Sequence, residues 1–273
     1  MTTTGDYVLG THDAEIERLG MQHGVWRPRA IEAWQRAGIG PGQTVIDLGC
    51  GPGFAALDLA GVVGAAGRVI ALDRSRRFLD VLGRACAARG AGNVEARECD
   101  FAAEALPVAD GSADAAWSRW VFSFVERPRE VLARAARALR VGGALVVHEY
   151  FDYGAWRAAP RDAAVEDFVA RVMASWRARG GEPDIGLDLL GWMPEQGLEI
   201  ASVRAMIEVA APGSPHWGWL QEFAEIGRQR LVELGELTAE QGAALAAGWA
   251  ACVARPGARM VTPGMLEIVA VRR

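Results

Sequence analysis

The sequence predicts an α/β fold with a doubly wound, mostly parallel sheet of seven strands. The chain has 273 residues, 51% of them hydrophobic and 23% charged, which is enough for one full hydrophobic core. Short apolar runs alternate with helical patterns through residues 44–150, as in βαβ units. A glycine-rich turn directly follows the first of these runs. We expect one domain over residues 1–273, with a helical cap (1–40), a sheet core (41–150) and a region of further helices and the last strands (151–273).

The charged residues exclude several kinds of chemistry. The net charge is −5, and all 29 basic residues are arginine. Without lysine, Schiff-base catalysis and Walker-type phosphate binding are excluded. An acidic chain also lacks the broad positive field that nucleic-acid binding needs, so we expect no nucleic-acid partner. The four cysteines form no C-x-x-C pair, and we expect no metal site.

The sequence indicates neither a secretory signal nor a membrane span. The first ten residues, MTTTGDYVLG, lack the basic region and apolar run of a signal peptide. No run of about 18 residues is apolar and free of charge. We therefore expect no membrane association and a cytoplasmic protein with reduced cysteines. The oligomeric state stays open, a homodimer included.

The predicted elements follow in order from the N-terminus. A helix over 13–36 begins at Asp13, a suitable N-cap, and the glycines from Gly38 to Gly42 end it. Five strands then alternate with helices. The strands are 44–48, 68–73, 93–97, 114–118 and 143–150, and the helices are 54–63, 75–89 and 128–139.

The pattern changes after Phe151, where helical periods dominate. Helices are predicted at 161–179, 184–196, 216–235 and 239–254, and strands at 200–209 and 265–271. The stretch 210–260 between the last two strands is too long for a hairpin. We expect it to form a helical insertion over the ligand edge of the sheet, before the last strand.

The most informative segment is VIDLGCGPGFAALDLA, residues 45–60. A strand ends near Asp47, glycines follow at Gly49, Gly51 and Gly53, and a helix begins. Glycine lets the backbone turn tightly and approach a ligand without a Cβ atom, and the start of a helix offers unpaired N–H groups. Asp47 can accept a hydrogen bond from a ligand ammonium group.

Two kinds of ligand compete for this turn. A dinucleotide-binding loop has the pattern G-x-G-x-x-G, with a pyrophosphate at the helix N-terminus. Counted from Gly49, this turn has Phe54 in place of the third glycine, and Pro52 removes a backbone donor. The fit to a pyrophosphate is poor. An NAD(P)-dependent oxidoreductase is kept as the alternative, although the Tyr-x-x-x-Lys pair of short-chain dehydrogenases cannot occur in a chain without lysine.

The segment DLGCGPG closely resembles the first motif of the class I S-adenosylmethionine-dependent methyltransferases, of the small-molecule UbiE type, and the similarity runs through residues 41–150. The resemblance implies a Rossmann-like fold, S-adenosylmethionine as cofactor and S-adenosylhomocysteine as product. In that family the loop holds the methionyl part of the cofactor, which carries no phosphate. The residues implied by this resemblance are Asp47, Gly49, Cys50, Gly51 and Gly53.

The resemblance also implies contacts to the rest of the cofactor. Asp73 ends the second strand, where a carboxylate can accept hydrogen bonds from both ribose hydroxyls. The same carboxylate could also bind the ribose of a dinucleotide, so it does not distinguish between the two kinds of ligand. Arg74 and Phe78 are expected beside the ribose and adenine. Asp100 is expected at the adenine amino group, and the backbone of Phe101 at the ring.

The end of the fourth strand is expected to contact the methionine amino group, through Ser118 and Arg119. Family members that methylate amines of nucleic acids or glutamine carry (N/D)PP(Y/F) here. This chain has SRWV instead, which argues against those substrates. The aromatic residues that follow, Trp120, Phe122 and Phe124, form either acceptor walls or core.

The fifth strand delivers His148, Glu149 and Tyr150 toward the same edge. His148 is a candidate general base, because its ordinary pKa is near neutrality. The alternative is a buried histidine with a structural hydrogen bond, since many methyl transfers need no side-chain base.

The N-terminal segment resembles the cap that closes over the cofactor in small-molecule methyltransferases. Tyr7, Gln22 and Trp26 are the candidate cofactor contacts, and Tyr7 is a second candidate for a catalytic role. A simple amphipathic docking helix is the alternative.

The acceptor is expected to be a small, apolar or aromatic metabolite. A sulfonium donor is already activated, so the protein mainly has to hold the acceptor atom in line, about 3–3.5 Å from the methyl carbon. The late helices and strands are rich in bulky residues, which either line an acceptor pocket or pack the helices: Trp176, Trp192, Trp217, Trp219, Trp249, Met173, Met193 and Met206. A non-methylating protein that binds S-adenosylmethionine would carry the same motifs and stays open.

Overall fold

A seven-stranded sheet forms the centre of the molecule, which is known from a computed structural model that describes residues 13–273. The strands of this sheet are β1 (Thr44–Leu48), β2 (Arg68–Asp73), β3 (Val94–Glu98), β4 (Ala113–Arg119), β5 (Leu139–Asp152), β7 (Leu198–Met206) and β10 (Gly264–Arg272). Their order is β3-β2-β1-β4-β5-β10-β7. The first five are parallel, and β10 runs antiparallel to both β5 and β7. The predicted fold class, an α/β fold with a mostly parallel sheet of seven strands, is confirmed.

Eight α-helices accompany the sheet in the described part of the chain. They are α1 (Asp13–Arg36), α2 (Phe54–Val63), α3 (Arg76–Arg89), α4 (Pro128–Ala138), α5 (Ala163–Arg177), α6 (Gly186–Glu195), α7 (Pro215–Glu233) and α8 (Ala239–Val253). One face of the sheet packs on α1, α2 and α3, and the other packs on α4 and α6. Because both faces are covered, the central strand β1 is buried along nearly its whole length.

The chain order creates a crevice beside β1. From β1 the chain moves outward to β2 and β3, and then returns to the other side of β1 to form β4 and β5. Helices that follow β1 and β4 therefore lie on opposite faces. Ligands of open α/β sheets bind at this switch point, outside the carboxyl ends of the strands.

Helix α1 is anchored to the sheet at its C-terminal end. The guanidinium of Arg36 donates two hydrogen bonds to the Glu267 carboxylate on β10, with Nε–Oε1 and Nη2–Oε2 distances of 2.9 and 2.6 Å. The ring of Trp34 packs edge-on against Trp117, with centroids 5.3 Å apart. These contacts hold the helix across one face of the sheet, so that its N-terminal half reaches the crevice.

A second, three-stranded sheet lies in the C-terminal half and has no counterpart in the sequence prediction. It consists of β6 (Arg157–Ala159), β8 (Val209–Ala210) and β9 (Arg259–Val261), in the order β6-β9-β8. Helices α7 and α8 lie between β8 and β9, which agrees with the predicted helical insertion. Within residues 13–273, no helix has the length and apolar composition needed to cross a bilayer.

Candidate functional site

A cavity of about 560 Å³ opens at the carboxyl ends of β1, β2 and β4. This volume falls in the range of small-molecule sites, roughly 300–1,000 Å³. Of the residues predicted to bind a cofactor, eleven line it: Gln22, Asp47, Gly49, Cys50, Gly51, Asp73, Arg74, Phe78, Asp100, Phe101 and Arg119. Most of the site predicted from the sequence is therefore brought together at one edge of the sheet.

Four predicted residues do not line this cavity. The Trp26 ring is fully buried and packs edge-on against Trp219, and Ser118 is buried on the opposite face of β4 from Arg119. Gly53 lies behind the turn, against Leu82. The fourth is His148, described below. Tyr7 falls outside the described residues, so its predicted roles stay predictions.

The turn after β1 requires glycine at two positions for steric reasons as well as for its backbone angles. Gly49 and Gly53 have φ values of +68° and +86°, in the left-handed region. A Cβ atom on Gly49 would lie 2.4 Å from Val121 Cγ2, and one on Gly53 would lie 2.2 Å from Leu82 Cδ1. Both distances are far below van der Waals contact. The glycines thus let this turn lie directly against α3 and the loop that follows β4.

The backbone donors of the turn are already occupied. The N–H groups of Gly49 and Cys50 both donate to the Leu72 carbonyl, at 2.9 and 3.0 Å, and that of Gly53 donates to the Cys50 carbonyl at 2.9 Å. The N–H of Gly51 donates to Asp73 Oδ2 at 2.8 Å. The remaining residue of the turn is a proline, which has no N–H. The turn therefore offers no backbone donor to a pyrophosphate.

Asp73 stabilises the turn through hydrogen bonds and can still accept hydrogen bonds from a ligand. Its Oδ2 accepts from Gly51, and its Oδ1 accepts from the Ser75 N–H at 2.8 Å. A carboxylate has about four acceptor sites, so these two bonds do not exhaust it. Burial raises the pKa of Asp73, while the backbone hydrogen bonds act in the opposite direction. A diol is a suitable partner for the remaining lone pairs.

Asp47 and Arg119 present opposite charges to the same cavity. Among residues 13–273, neither Asp47 Oδ2 nor Arg119 Nη1 has a hydrogen-bond partner, although both atoms are buried. Burial raises the pKa of Asp47 to about 7, against the lowering influence of Arg119. Burial lowers the pKa of Arg119 to about 10, so the guanidinium stays charged at neutral pH. Unpaired buried charges are costly, and a zwitterionic ligand would pair both.

The guanidinium of Arg119 lies among aromatic rings. Its Cζ atom is 5.1 Å from the ring centroid of Trp120 and 5.9 Å from that of Trp117, distances typical of cation–π contacts. Trp120 itself is stacked between Tyr150 and Trp219, at centroid distances of 5.6 and 5.9 Å. Its φ is +54°, an unusual value for a bulky residue, and this packing holds it there.

A buried carboxylate fixes the loop that follows β4. Glu149 Oε1 accepts from the N–H groups of Val121 and Phe122 at 2.6 and 2.7 Å, and Oε2 accepts from the Ser123 hydroxyl at 2.6 Å. Burial raises the pKa of Glu149 to about 7. Since Val121 lines the cavity, Glu149 positions one of its walls.

Gln22 projects from α1 with its amide orientation set by two donors. Its Oε1 accepts from Arg18 Nη1 at 2.8 Å and from Trp219 Nε1 at 3.1 Å. Because both neighbours can only donate, the oxygen must face them. The NH₂ group is then left for the cavity that Gln22 lines.

Asp100 and Phe101 form the outer rim of the cavity. Asp100 is exposed, and its Oδ1 accepts from the Ala102 N–H at 3.2 Å, while the Phe101 side chain is buried. The same cavity is also lined by Phe124, Glu126, Arg127 and Arg179. Its lining thus combines charged and aromatic side chains.

The tryptophans and methionines of the late helices mostly pack against one another. Trp176, Trp217 and Trp219 belong to one buried aromatic cluster between α5, α7 and the end of β5. None of the eight bulky residues considered as acceptor walls lines the larger cavity. Trp249 borders a second cavity of about 330 Å³ between α5, α7 and α8.

His148 lies outside the larger cavity, four residues before the end of β5. Its ring packs edge-on against Trp117 at 4.7 Å, and Nε2 lies 3.7 Å from Glu267 Oε2, too far for a hydrogen bond. Burial lowers the pKa of His148 to about 4, so the ring is neutral at physiological pH. A general base must reach the proton that it removes, and this placement offers no such contact. Its assignment as a base stays an untested prediction.

We expect His148→Leu to change how the free energy of unfolding depends on pH below about 6.5, without changing cofactor binding. A base whose folded pKa is lowered stabilises the fold fully above its unfolded pKa, near 6.5, and this contribution is lost as pH falls toward 4. Between these values, the difference in unfolding free energy between variant and wild type should change by about 1.4 kcal/mol per pH unit. Urea unfolding from pH 4.5 to 7.5 measures it. If the free energies of unfolding of variant and wild type changed in parallel with pH, the burial of a neutral His148 ring would be contradicted.

Sequence reasoning missed several residues that line the cavity, including Leu19, His23, Phe54, Trp117 and Val121. Phe54 was recognised only as a departure from the dinucleotide pattern. His23 lies one position after Gln22 in the same predicted cap, so the cap resemblance pointed to the correct segment. No local signal distinguished its side chain.

Comparison with known proteins places this cavity in a family context. Residues 46–147 match the family profile described as a methyltransferase domain. An arsenite methyltransferase of Halobacterium salinarum is 34% identical over 126 residues, which are 46% of this chain and 30% of that protein. The ubiquinone/menaquinone biosynthesis C-methyltransferase UbiE of Ectopseudomonas mendocina is 31% identical over 132 residues, 48% of this chain and 50% of that protein. The chain therefore spans half or less of the length of these curated relatives.

Solved structures share the fold over most of the chain. BH2331 of Bacillus halodurans C-125, a protein assigned as a methyltransferase, has a TM-score of 0.61 at 17% identity and covers 89% of this chain and 97% of its own. Geranyl diphosphate C-methyltransferase of Streptomyces coelicolor A3(2) has a TM-score of 0.57 at 17% identity, with coverages of 96% and 85%. The [4+2]-cyclase SpnF has a TM-score of 0.57 at 20% identity, with coverages of 88% and 78%. At these identities the likeness concerns the fold alone.

Proposed function

We propose that this chain, which belongs to the class I S-adenosylmethionine-dependent methyltransferases, binds S-adenosylmethionine in the cavity at the carboxyl edge of the sheet and transfers its methyl group to a small molecule. We further propose that residues 1–273 form one such domain. In it, residues 1–40 are the cap, 41–150 the donor-binding core and 151–273 the acceptor side.

The observation that carries this proposal is a pair of buried atoms on oppositely charged groups, Asp47 Oδ2 and Arg119 Nη1, which have no hydrogen-bond partner within residues 13–273. The donor's amino-acid end is a zwitterion, with an ammonium group that only donates and a carboxylate that only accepts. Asp47 can accept from the ammonium, and Arg119 Nη1 can donate to the carboxylate. The remaining acceptor capacity of Asp73 suits the ribose hydroxyls.

The chain's residues bind and orient, and the activated donor supplies the chemistry. The acceptor atom attacks the methyl carbon, the carbon–sulfur bond breaks, and the sulfur leaves as the neutral thioether of S-adenosylhomocysteine. An acceptor that carries a proton on the attacking atom releases it to solvent or to a nearby base. Residues of the cap helix α1 and the rings of Trp120 and Phe124 line this region.

We infer that the acceptor has an apolar or aromatic body. Beyond the predicted donor contacts, the cavity is lined by Trp120, Phe124 and Val125. The curated relatives act on small molecules, as their names state, and the Streptomyces coelicolor neighbour was crystallised with geranyl diphosphate.

The NAD(P)-dependent alternative is disfavoured by the turn after β1. A dinucleotide pyrophosphate needs backbone donors at this place, and every N–H of the turn from Gly49 to Gly53 already donates within the protein. The fold does not distinguish a methylating from a non-methylating role, because the [4+2]-cyclase SpnF shares it.

The function is tested by titrating the purified protein with S-adenosylmethionine and S-adenosylhomocysteine in a calorimeter. Incubation with methyl-labelled donor and candidate small molecules then follows the transfer. We expect binding of both nucleosides and formation of S-adenosylhomocysteine together with a labelled small molecule. Binding of a nicotinamide dinucleotide without binding of either sulfur nucleoside would contradict the proposal. Donor binding without turnover on any acceptor would favour the non-methylating alternative.

Asp73→Ala should weaken binding of S-adenosylhomocysteine by about 10- to 100-fold, because the ribose hydroxyls lose their acceptor and the Gly51 N–H loses its partner. 5′-Methylthioadenosine, which has the same ribose and no amino-acid end, should lose affinity by a similar factor. The matched control is Asp80→Ala on α3, which removes an exposed carboxylate paired with Arg76 and should leave both affinities unchanged. Equal affinities of Asp73→Ala and wild type would remove Asp73 from the site.

A further inference from the structure

We propose that His23 is a positioning residue, which holds the guanidinium of Arg119 ready for the carboxylate of the donor, and that Asp58 fixes the tautomer of His23 that this requires. The proposal rests on the proposed function, since it concerns the same cavity. The sequence alone assigned no role to either residue.

The geometry determines where the imidazole proton lies. Arg119 Nη2 is 3.1 Å from His23 Nδ1. A guanidinium can only donate, so Nδ1 must be the acceptor and carries no proton. The proton of the neutral ring is then on Nε2, which lies 3.0 Å from Asp58 Oδ2. Arg119 thus donates to His23, and His23 donates to Asp58.

The far end of this chain of hydrogen bonds is anchored at the surface. Asp58 on α2 also accepts from Arg27 on α1, with Nε–Oδ2 and Nη2–Oδ1 distances of 2.6 and 3.1 Å. Burial alone would raise the pKa of Asp58, but the hydrogen bonds from His23 and Arg27 lower it to about 2. Asp58 is therefore ionised wherever the protein is folded at ordinary pH, and it always accepts from Nε2.

Packing fixes the ring of His23 as firmly as its hydrogen bonds do. The ring stacks on Phe54, the first residue of α2, with centroids 5.9 Å apart and an interplanar angle of 24°. Phe54 in turn occupies the space beside Gly20 of α1, where a Cβ atom would lie 3.0 Å from Phe54 Cζ. Burial lowers the pKa of His23, which favours the neutral ring.

The arrangement divides the two terminal nitrogens of Arg119 between two tasks. Nη2 is held by His23, and Nη1 has no partner within residues 13–273. With one nitrogen fixed and the guanidinium against the Trp120 ring, the free nitrogen has a defined direction. Such pre-organisation reduces the ordering that a bound carboxylate would otherwise require. Because His23 and Asp58 belong to α1 and α2, the same contacts couple the cap helix to the donor's amino-acid end.

The test compares two ligands that differ at that end. S-Adenosylhomocysteine has the amino acid group, and 5′-methylthioadenosine lacks it while keeping the adenosine. We expect His23→Leu to lower the affinity for S-adenosylhomocysteine roughly tenfold, part of the effect of a charge-assisted hydrogen bond, and to leave that for 5′-methylthioadenosine within about twofold. His23→Asn should restore most of the lost affinity, because its amide oxygen can stand close to the position of Nδ1.

A second variant keeps the test valid if His23→Leu folds poorly. In Asp58→Ala, Nε2 loses its acceptor, so the ring is no longer held in the tautomer and orientation that accept from Arg119. We expect the same selective loss of S-adenosylhomocysteine affinity. An equal loss for both ligands in both variants would show a merely structural role and overturn the proposal, as would unchanged affinities. A wild-type protein that binds neither ligand would instead refute the proposed function, and this inference with it.

Discussion

Gly53→Ala is expected to destabilise the fold by about 2–4 kcal/mol, although Gly53 does not line the cavity. Its φ of +86° costs a residue with a Cβ atom about 1–2 kcal/mol. The new methyl group would also lie 2.2 Å from Leu82 Cδ1, and overpacking of a filled core costs roughly 1–3 kcal/mol. Because Gly53 precedes α2 directly, the strain would reach the turn that is proposed to face the donor.

Urea unfolding of the purified variant measures this effect, and two further variants separate its causes. Gly90→Ala adds a Cβ atom at a residue in the same left-handed region, with φ +66° and ψ +27° and nothing within 4 Å, so it reports the conformational cost alone. The double variant Gly53→Ala/Leu82→Ala removes the clash, and its loss should be smaller than the sum of the single losses. If Gly53→Ala were no more destabilising than Gly90→Ala, the close contact with Leu82 would not limit the choice of residue at this position.

The elements with strong local signals were predicted almost to the residue. Helices α1 and α2 and strands β1 and β2 have the predicted bounds, because a cap residue, glycines or a short apolar run mark their ends. The small sheet of β6, β9 and β8 was not predicted. Its strands have two or three residues, and Arg157 pairs with Val261 across more than a hundred positions. Such a sheet depends on the tertiary fold and leaves no period in the sequence.

In the candidate site, too, features with a local sequence signal were predicted and features that depend on tertiary contacts were not. The carboxyl ends of parallel strands share one edge, so motifs that end strands were placed together correctly. The face of the sheet to which each side chain points was harder to predict. Ser118 was expected beside Arg119, but successive residues of a strand point to opposite faces, and Ser118 is in register with Leu48 rather than Asp47.

Strand length and tertiary contact account for the other differences. The predicted fifth strand ended at Tyr150, whereas β5 continues to Asp152, so His148 lies inside the sheet and not at its edge. His23 contacts Arg119 across 96 positions of the chain. That contact exists only because α1 crosses the face of the sheet, where Arg36 anchors it to Glu267.

Asp47→Asn should stabilise the unliganded protein at pH 8 and impair donor binding. The folded pKa of Asp47 is raised by burial to about 7, above its unfolded value of 3.8. A raised carboxyl pKa gives a contribution to stability that is fully present below the unfolded pKa and is lost as pH rises through the folded one. At pH 8 the wild type therefore holds a buried carboxylate that the variant lacks. We expect the variant to be more stable by on the order of 2–4 kcal/mol at pH 8, and nearly equal to wild type at pH 4.

Binding should change in the opposite direction, which distinguishes a ligand contact from a structural one. The ammonium of S-adenosylhomocysteine loses a charged acceptor in the variant, so its affinity should fall by about 10- to 100-fold at pH 8. 5′-Methylthioadenosine has no ammonium and should bind both proteins equally. Urea unfolding at pH 4 and 8 and calorimetry with the two ligands give the four comparisons. A variant that lost stability at pH 8 while keeping its affinity would show that this carboxylate supports the fold, and that the donor's amino group binds elsewhere.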